Sequence, residues 1–312
     1  MAESRIAVYG AIAANVTIAC LKFTAAAFTG SSAMLSEGIH STVDTGNGLL
    51  LLVGLRLAEK PPDERHPFGH GQELYFWSLI VAVLIFGVGG GVSVYEGILR
   101  LLSPEPLGEP TWSYAVLAAA FVFEGASLFV AVRQFRRSSE GQPFWAALKK
   151  SKDPALYTVI AEDSAALAGL AAAALGIVGS QVLGMPSLDA IASIVIGGLL
   201  CAVSSLLVFQ ARTLLVGQAV DAPTAAEIRR IAAAESGVRR SAWPLTMYFG
   251  PNEVLLALDI EFEPGVLAAD ATSAVARIEA AVRQRFPEIS RIYIESHRLS
   301  AAESQPMPPA PA

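Results

Sequence analysis

His40 and Asp44 stand four residues apart in Ser36-Glu37-Gly38-Ile39-His40-Ser41-Thr42-Val43-Asp44-Thr45-Gly46-Asn47, inside a long apolar segment. On a helix this spacing stacks an imidazole one turn from a carboxylate, and Glu37 and Asn47 continue the stripe at three-residue steps. A ring nitrogen and a carboxylate oxygen offered to one point make half of a tetrahedral divalent-metal site. The same residues also read as polar glue that bonds helix to helix within a bundle. Ionisable groups cost about 2.5–3.5 kcal/mol each near a bilayer centre, so they are rare there and mark function.

Further carboxylates reach similar depth from other segments. Asp163 lies in the run Asp153-Pro154-Ala155-Leu156-Tyr157-Thr158-Val159-Ile160-Ala161-Glu162-Asp163, placed to meet the His40/Asp44 face near midplane. Glu162 is about 100° away around the helix and is expected to face a different neighbour. Glu124 lies deep within another apolar run. Four carboxylates and a histidine at one depth favour an intramembrane cation site over glue. A second constellation is polar throughout: Asp63, His66 and His70 in Pro61-Pro62-Asp63-Glu64-Arg65-His66-Pro67-Phe68-Gly69-His70-Gly71. Two imidazoles and a carboxylate make an open metal site. The alternative is a solvated loop whose histidines simply titrate.

These residues need a membrane-spanning frame, and composition supplies it. Of 312 residues 53% are hydrophobic and only 16% charged, against about 25% charged in soluble domains. A net charge of -6 without a basic patch argues against a nucleic-acid partner. Cys20 and Cys201 both fall in apolar runs and form no disulfide framework or metal-binding pair. Six apolar spans, at 6–28, 33–57, 75–101, 112–132, 155–179 and 188–210, are each long enough to cross about 30 Å of hydrocarbon. The first is too long for a signal-peptide core and has no clear cleavage site. Arg5, the connection with Arg56, Lys60 and Arg65, and that with Arg133, Arg136, Arg137, Lys149, Lys150 and Lys152 share one side. The residues at 29–32 and 180–187 carry no Lys or Arg. By the positive-inside rule both termini are cytoplasmic. Gly87, Gly89, Gly90 and Gly91, and the alanines of 165–174, suit close helix packing.

Beyond Arg212 the pattern changes. Pro223 and a Thr224-x-x-Glu227 capping box open a helix reaching about residue 236. Strict alternation at 253–263 turns Val254, Leu256, Leu258, Ile260 and Phe262 to one side. Glu253, Asp259, Glu261 and Glu263 turn to the other, which reads as a half-buried strand. Residues 243–249 can pair with it through Gly250-Pro251-Asn252. A helical stripe (Val275, Ile278, Val282, Phe286) and a last strand at 289–295 complete a small αββαβ layer. The expected domains are therefore a transmembrane domain at 1–211, an α+β domain at 212–300 and a disordered Ala/Pro/Ser tail at 301–312.

The order of these features resembles the cation diffusion facilitator (zinc transporter) family. The likeness rests on six helices, Ser-x-x-x-x-Glu-x-x-His-Ser-x-x-Asp in the second and His-Pro-Phe-Gly-His-Gly-x-Glu before the third. An acidic fifth helix and the αββαβ, ferredoxin-like tail extend it over about residues 6–297. Lys152-Asp153-Pro154 and Glu162-Asp163-Ser164-Ala165-Ala166-Leu167 are similar to the subgroup that includes the ninth human-type zinc transporter. The resemblance implies a homodimeric secondary transporter, not an enzyme, that exchanges cytoplasmic divalent metal, usually zinc, for protons. It implies no organic cofactor, and a place in the cell (inner) membrane. His40, Asp44 and Asp163 then match the transported-ion ligands, and Asp63, His66 and His70 a cytoplasmic loop site.

Two positions depart from the family pattern. Val159 stands where a His or Asp often precedes the fifth-helix aspartate, leaving water, Asn47, Glu162 or Glu124 to complete the coordination. His297 is the only tail histidine, which weakens metal sensing by the tail but leaves dimerisation. The rival readings are a membrane-anchored metal sensor, the same transporter specific for manganese or iron, and an intramembrane hydrolase that lacks any nucleophile motif.

Overall fold

The computed structural model describes residues 2–103, 111–138, 144, 147–148 and 154–299, with side chains from residue 15 onward except 138 and 154–156. The connection carrying Lys149, Lys150, Lys152 and Asp153, and the tail at 301–312, lie outside the described residues. The chain divides into two units, one made of residues 1–57 and 73–212, the other of 58–72 and 213–312.

The first unit is helical: α1 (Ala2–Thr29), α2 (Ser32–Ala58), α3 (Glu73–Leu102), α4 (Thr111–Ser138), α5 (Pro154–Leu183) and α6 (Ser187–Gly217). Each contains one of the six apolar spans and runs past it at its ends. Among the described residues four helices, α3 to α6, are long and apolar enough to cross a membrane. The described apolar part of α1 runs over Asn15–Thr29, and α2 carries the polar stripe. This unit is a helical, multi-pass membrane domain. Its core joins Ile18, Met34, Val81, Ile85, Leu117, Leu170, Ile177 and Ile196 from all six helices.

Glycines set how closely these helices approach. A Cβ on Gly197 of α6 would fall 2.7 Å from the Gly90 carbonyl oxygen of α3, and one on Gly97 would fall 2.9 Å from the Ala190 carbonyl. At Gly176 of α5 it would collide with Ala192 of α6. Without hydrophobic contrast from lipid, such backbone proximity is what holds membrane helices together. Gly197→Leu should therefore lower stability by about 1–3 kcal/mol through overpacking, read as an earlier thermal transition in detergent. An unchanged transition would mean that the α3–α6 crossing has slack. The glycine run also explains a feature absent from the span prediction: Ile85–Gly91 within α3 is π-helical. Such widenings of α-helices are frequent at functional sites.

The second unit is built on the central strand β3 (Glu253–Phe262). β2 (Leu245–Gly250) pairs antiparallel along its first half, and β1 (Val238–Ser241) along its end. β4 (Ile289–Ser296) pairs parallel on the opposite edge. β1 and β2 are thus one edge interrupted at Ala242-Trp243-Pro244, and the expected αββαβ order holds with a broken first strand. Proline removes a ladder donor, which suits an edge break. Helices α7 (Ala222–Ala233) and α8 (Ala268–Arg285) complete the unit. Ile228, Leu256, Leu258, Ile260, Ile278, Val282 and Ile289 form its core.

Two local expectations are corrected. The capping box at Thr224 does not form: Asp221 caps α7 by accepting the Thr224 N–H at 3.1 Å, and Glu227 pairs with Arg230 instead. The alternation in β3 also fails at Glu261, which is 6% exposed. Arg239 and Arg240 hold its carboxylate at 3.2 and 2.8 Å, and the Leu299 N–H donates to it. A carboxylate with three donors can be buried where an unpaired one cannot.

Candidate metal centre

The placement of α2 comes first, because it carries His40 and Asp44. Its N-terminus is capped from another helix. Asp189 at the start of α6 accepts the Ser32 N–H (2.6 Å), the Ala33 N–H (3.3 Å) and the Ser31 and Ser32 hydroxyls. A carboxylate there satisfies free N–H groups and complements the helix dipole. Ser36 and Ser193 share a short hydrogen bond, and the Ser193 hydroxyl donates to the Ser93 carbonyl of α3. These contacts tie α2 to α6 and α6 to α3.

One turn further along α2, His40 Nδ1 lies 3.4 Å from Asp44 Oδ1, with His40 1% and Asp44 13% exposed. Both His40 ring nitrogens, Asp44 Oδ1, Asn47 Oδ1 and Asp163 Oδ2 are buried without a hydrogen-bond partner among the described residues. Buried donors and acceptors are nearly always satisfied, because leaving one unmade costs about 1–3 kcal/mol. Five unsatisfied ligand-type atoms on two helices are what ion ligands would leave, although His40, Asp44 and Asp163 do not bring one ligand atom each within 4.8 Å of the others.

The arrangement of α5 refines the sequence reading. Glu162, expected to face elsewhere, accepts a hydrogen bond from Asn47 Nδ2 at 2.9 Å. Asp163 instead accepts a hydrogen bond from Ser127 of α4, while still acting electrostatically on Asp44. Glu124, 8% exposed, belongs to the same electrostatic cluster. Val159, one turn before Asp163, packs against the apolar group of Ala131, Phe135 and Ile160.

A further charged group went unnoticed in the sequence. Lys22 of α1 is fully buried; its ammonium donates to Glu37 Oε2 at 2.9 Å and to the Ser41 hydroxyl at 2.8 Å. A lone lysine within an apolar run was the available signal.

In the second unit, the connection at 58–72 gathers its own cluster. Asp63 Oδ1 accepts the Arg65 N–H (2.8 Å) and the His66 N–H (2.7 Å), folding the loop into a turn. His66 Nδ1 lies 3.3 Å and His70 Nε2 3.1 Å from the Asp63 carboxylate. One ligand atom from each of the three falls within 4.8 Å of the others, the only such group among the described residues. The His66 backbone hydrogen bond, then those from His70 and Arg65, pull the Asp63 carboxyl down to about 2. This support is present above its ordinary value of 3.8 and fades only as pH falls towards 2. Phe68 stacks on Phe249 of β2 at 5.2 Å between ring centroids, beneath the Arg291 guanidinium. Gly71 lies against the Phe249 carbonyl, where a Cβ would clash.

Residues 8–216 match the family described as the cation efflux transmembrane domain. The proton-coupled zinc antiporter SLC30A9, mitochondrial, of Homo sapiens is 33% identical over 259 residues, 82% of this chain and 46% of that protein. Metal tolerance protein C4 of Arabidopsis thaliana is 32% identical over 262 residues, 83% of this chain and 57% of that protein. Magnetosome protein MamM of Paramagnetospirillum magneticum is 29% identical over 178 residues, 57% of this chain and 52% of that protein. The chain spans about half the length of the relatives it matches. The matched stretch holds the unsatisfied nitrogens and oxygens of α2 and α5 as well as the Asp63, His66 and His70 cluster. The chain belongs to the cation efflux family.

Proposed function

We propose that this protein moves a divalent metal cation, zinc foremost, out of the cytoplasm in exchange for protons. The buried His40–Asp44 pair, with its unsatisfied nitrogens and oxygen, carries this reading. His40, Asp44 and Asp163 bind the transported ion, and Asn47, Glu162 and Glu124 complete its coordination or carry protons. Metal binding requires neutral imidazole and ionised carboxylate, so metal and protons compete for the same atoms. That competition couples the two fluxes without further machinery. Deprotonation on the cytoplasmic side loads metal, and protonation on the far side releases it as the helices rock around a midplane site.

The same reading places six transmembrane helices in the cell (inner) membrane with both termini cytoplasmic, a transport domain over 1–211 and a dimerisation domain over 212–300. The apolar core of the latter supports assembly as a homodimer without metal. The loop cluster tunes transport rather than carrying it, since no ion needs desolvating there. His70→Ala should weaken zinc binding at the loop by at least about 100-fold while transport slows without stopping. Spectroscopic titration with Co(II) checks this; unaltered binding would remove His70 from the site.

Flux in proteoliposomes tests the reading, with Zn(II), Mn(II), Fe(II) and Co(II) offered with and without a pH gradient. Zinc transport enhanced by the gradient is expected. Binding without flux would favour the membrane-anchored sensor, and preference for Mn(II) or Fe(II) would transfer the mechanism to that metal. Val159, packed among apolar side chains, adds no imidazole, which supports a site more tolerant of oxygen-preferring metals.

A further inference from the structure

The Lys22 ammonium is the fully buried cation of the described membrane unit, and its position is tightly determined. It crosses from α1 to α2 between Glu37 and Ser41, one turn apart, with hydrogen bonds to both. Ser41 follows His40 directly, so the positive charge sits beside the candidate transport site. Glu37 is directed away at its other end: its Oε1 is buried and unsatisfied against Gly169 of α5, where a Cβ would leave it no room. The two charges of the pair reach the acid cluster unequally: Glu37 acts on Glu124 alone, whereas Lys22 also reaches His40 and Asp44. Lys22 acts electrostatically on His40, Asp44 and Glu124, three groups on two helices.

Helix glue alone needs no charge here, since a buried ion pair is often no more stabilising than apolar residues of equal volume. Its retention beside a cation site has a functional consequence. A site built only of Asp44, Glu124, Glu162 and Asp163 would hold a divalent ion very tightly at low dielectric and release it slowly. A tethered positive charge offsets that attraction without occupying the coordination sphere.

We propose that Lys22, held by Glu37 and Ser41, is a resident counter-charge that weakens the hold of the intramembrane site on its divalent ion and so speeds release. Lys22 is a positioning residue, not a ligand. The inference rests on the transport reading above.

The test compares the unaltered chain, Glu37→Gln, and the double variant Lys22→Met with Glu37→Gln, all full-length and confirmed folded by size-exclusion and thermal melting. Zinc binding is measured by calorimetry and zinc exchange in proteoliposomes. Removing the pair should tighten zinc binding by roughly tenfold, the Lys22 repulsion less the opposed Glu37 attraction at an effective dielectric constant near 20, and lower maximal exchange by a similar factor. Glu37→Gln, which leaves Lys22 uncompensated, should shift binding the opposite way. Opposite shifts in the two variants separate a charge effect from a structural one, because loss of structure weakens both. An unchanged or weaker zinc constant in the folded double variant overturns the inference. If the unaltered chain bound no zinc, the transport reading itself would fall, which is a distinguishable result.

Discussion

Asp44→Ala should abolish zinc movement, lowering flux by at least about 100-fold, while the protein remains folded. Removing even a supporting partner of a metal ligand costs about 10–100-fold in affinity or activity, and losing the ligand costs more. Stability follows a different logic. Asp44 Oδ1 is buried and makes no hydrogen bond among the described residues, with only His40 Nδ1 at 3.4 Å beside it, so its removal takes away a weakly supported acid rather than a support. The thermal transition should stay in place or rise. Zinc flux near the unaltered rate would remove Asp44 from the transport path. A collapsed transition would instead make it a structural residue.

Lys22→Met alone should do the opposite, damaging the fold first. Lys22 and Glu37 are both fully buried at 2.9 Å. Breaking a buried pair by deleting one partner costs about 3–5 kcal/mol, because the remaining charge is left uncompensated. Adding Glu37→Gln should recover most of that loss, since the double variant buries no net charge. Urea or thermal unfolding of the single and double variants in detergent measures the difference. Equal stability of the single and unaltered proteins would mean that water or another group already solvates Glu37.

The contrast between Asp44 and Lys22 shows what sequence reading captured and what it missed. A run of apolar residues marks where a helix lies, and each expected span falls inside one helix, which overruns it by as much as seven residues at one end. Polar residues within such runs stand out because they are costly there, which is why His40, Asp44, Glu124 and Asp163 were legible. Lys22 carried the same cost but was passed over: a single lysine in an apolar run has a long stem that can reach the interface. Only the fold reveals that its partners lie on α2. Helical angle set Glu162 apart from Asp163 but assigned Glu162 away from the α2 stripe, to which it in fact bonds. Which neighbour each meets depends on the rotation of α5, and the structure joins Glu162 to Asn47 and Asp163 to Ser127.

The π-helical turn in α3 has no period of its own in the sequence, though its four glycines lower the cost of widening a helix. In the second unit, alternation located β3 and its buried face. It misassigned Glu261 because burial there depends on Arg239 and Arg240 from a strand distant in sequence. The loop cluster was legible from spacing alone, whereas its seat on Phe249 and Arg291 was not.

The most direct test of the central claim follows protons while zinc moves. Proteoliposomes containing a pH indicator in the lumen, with no imposed gradient, receive zinc outside. Zinc entry should alkalinise the lumen as protons leave in exchange, and both signals should disappear together in Asp44→Ala. Zinc entry without any change in luminal pH would contradict proton-coupled exchange at this site.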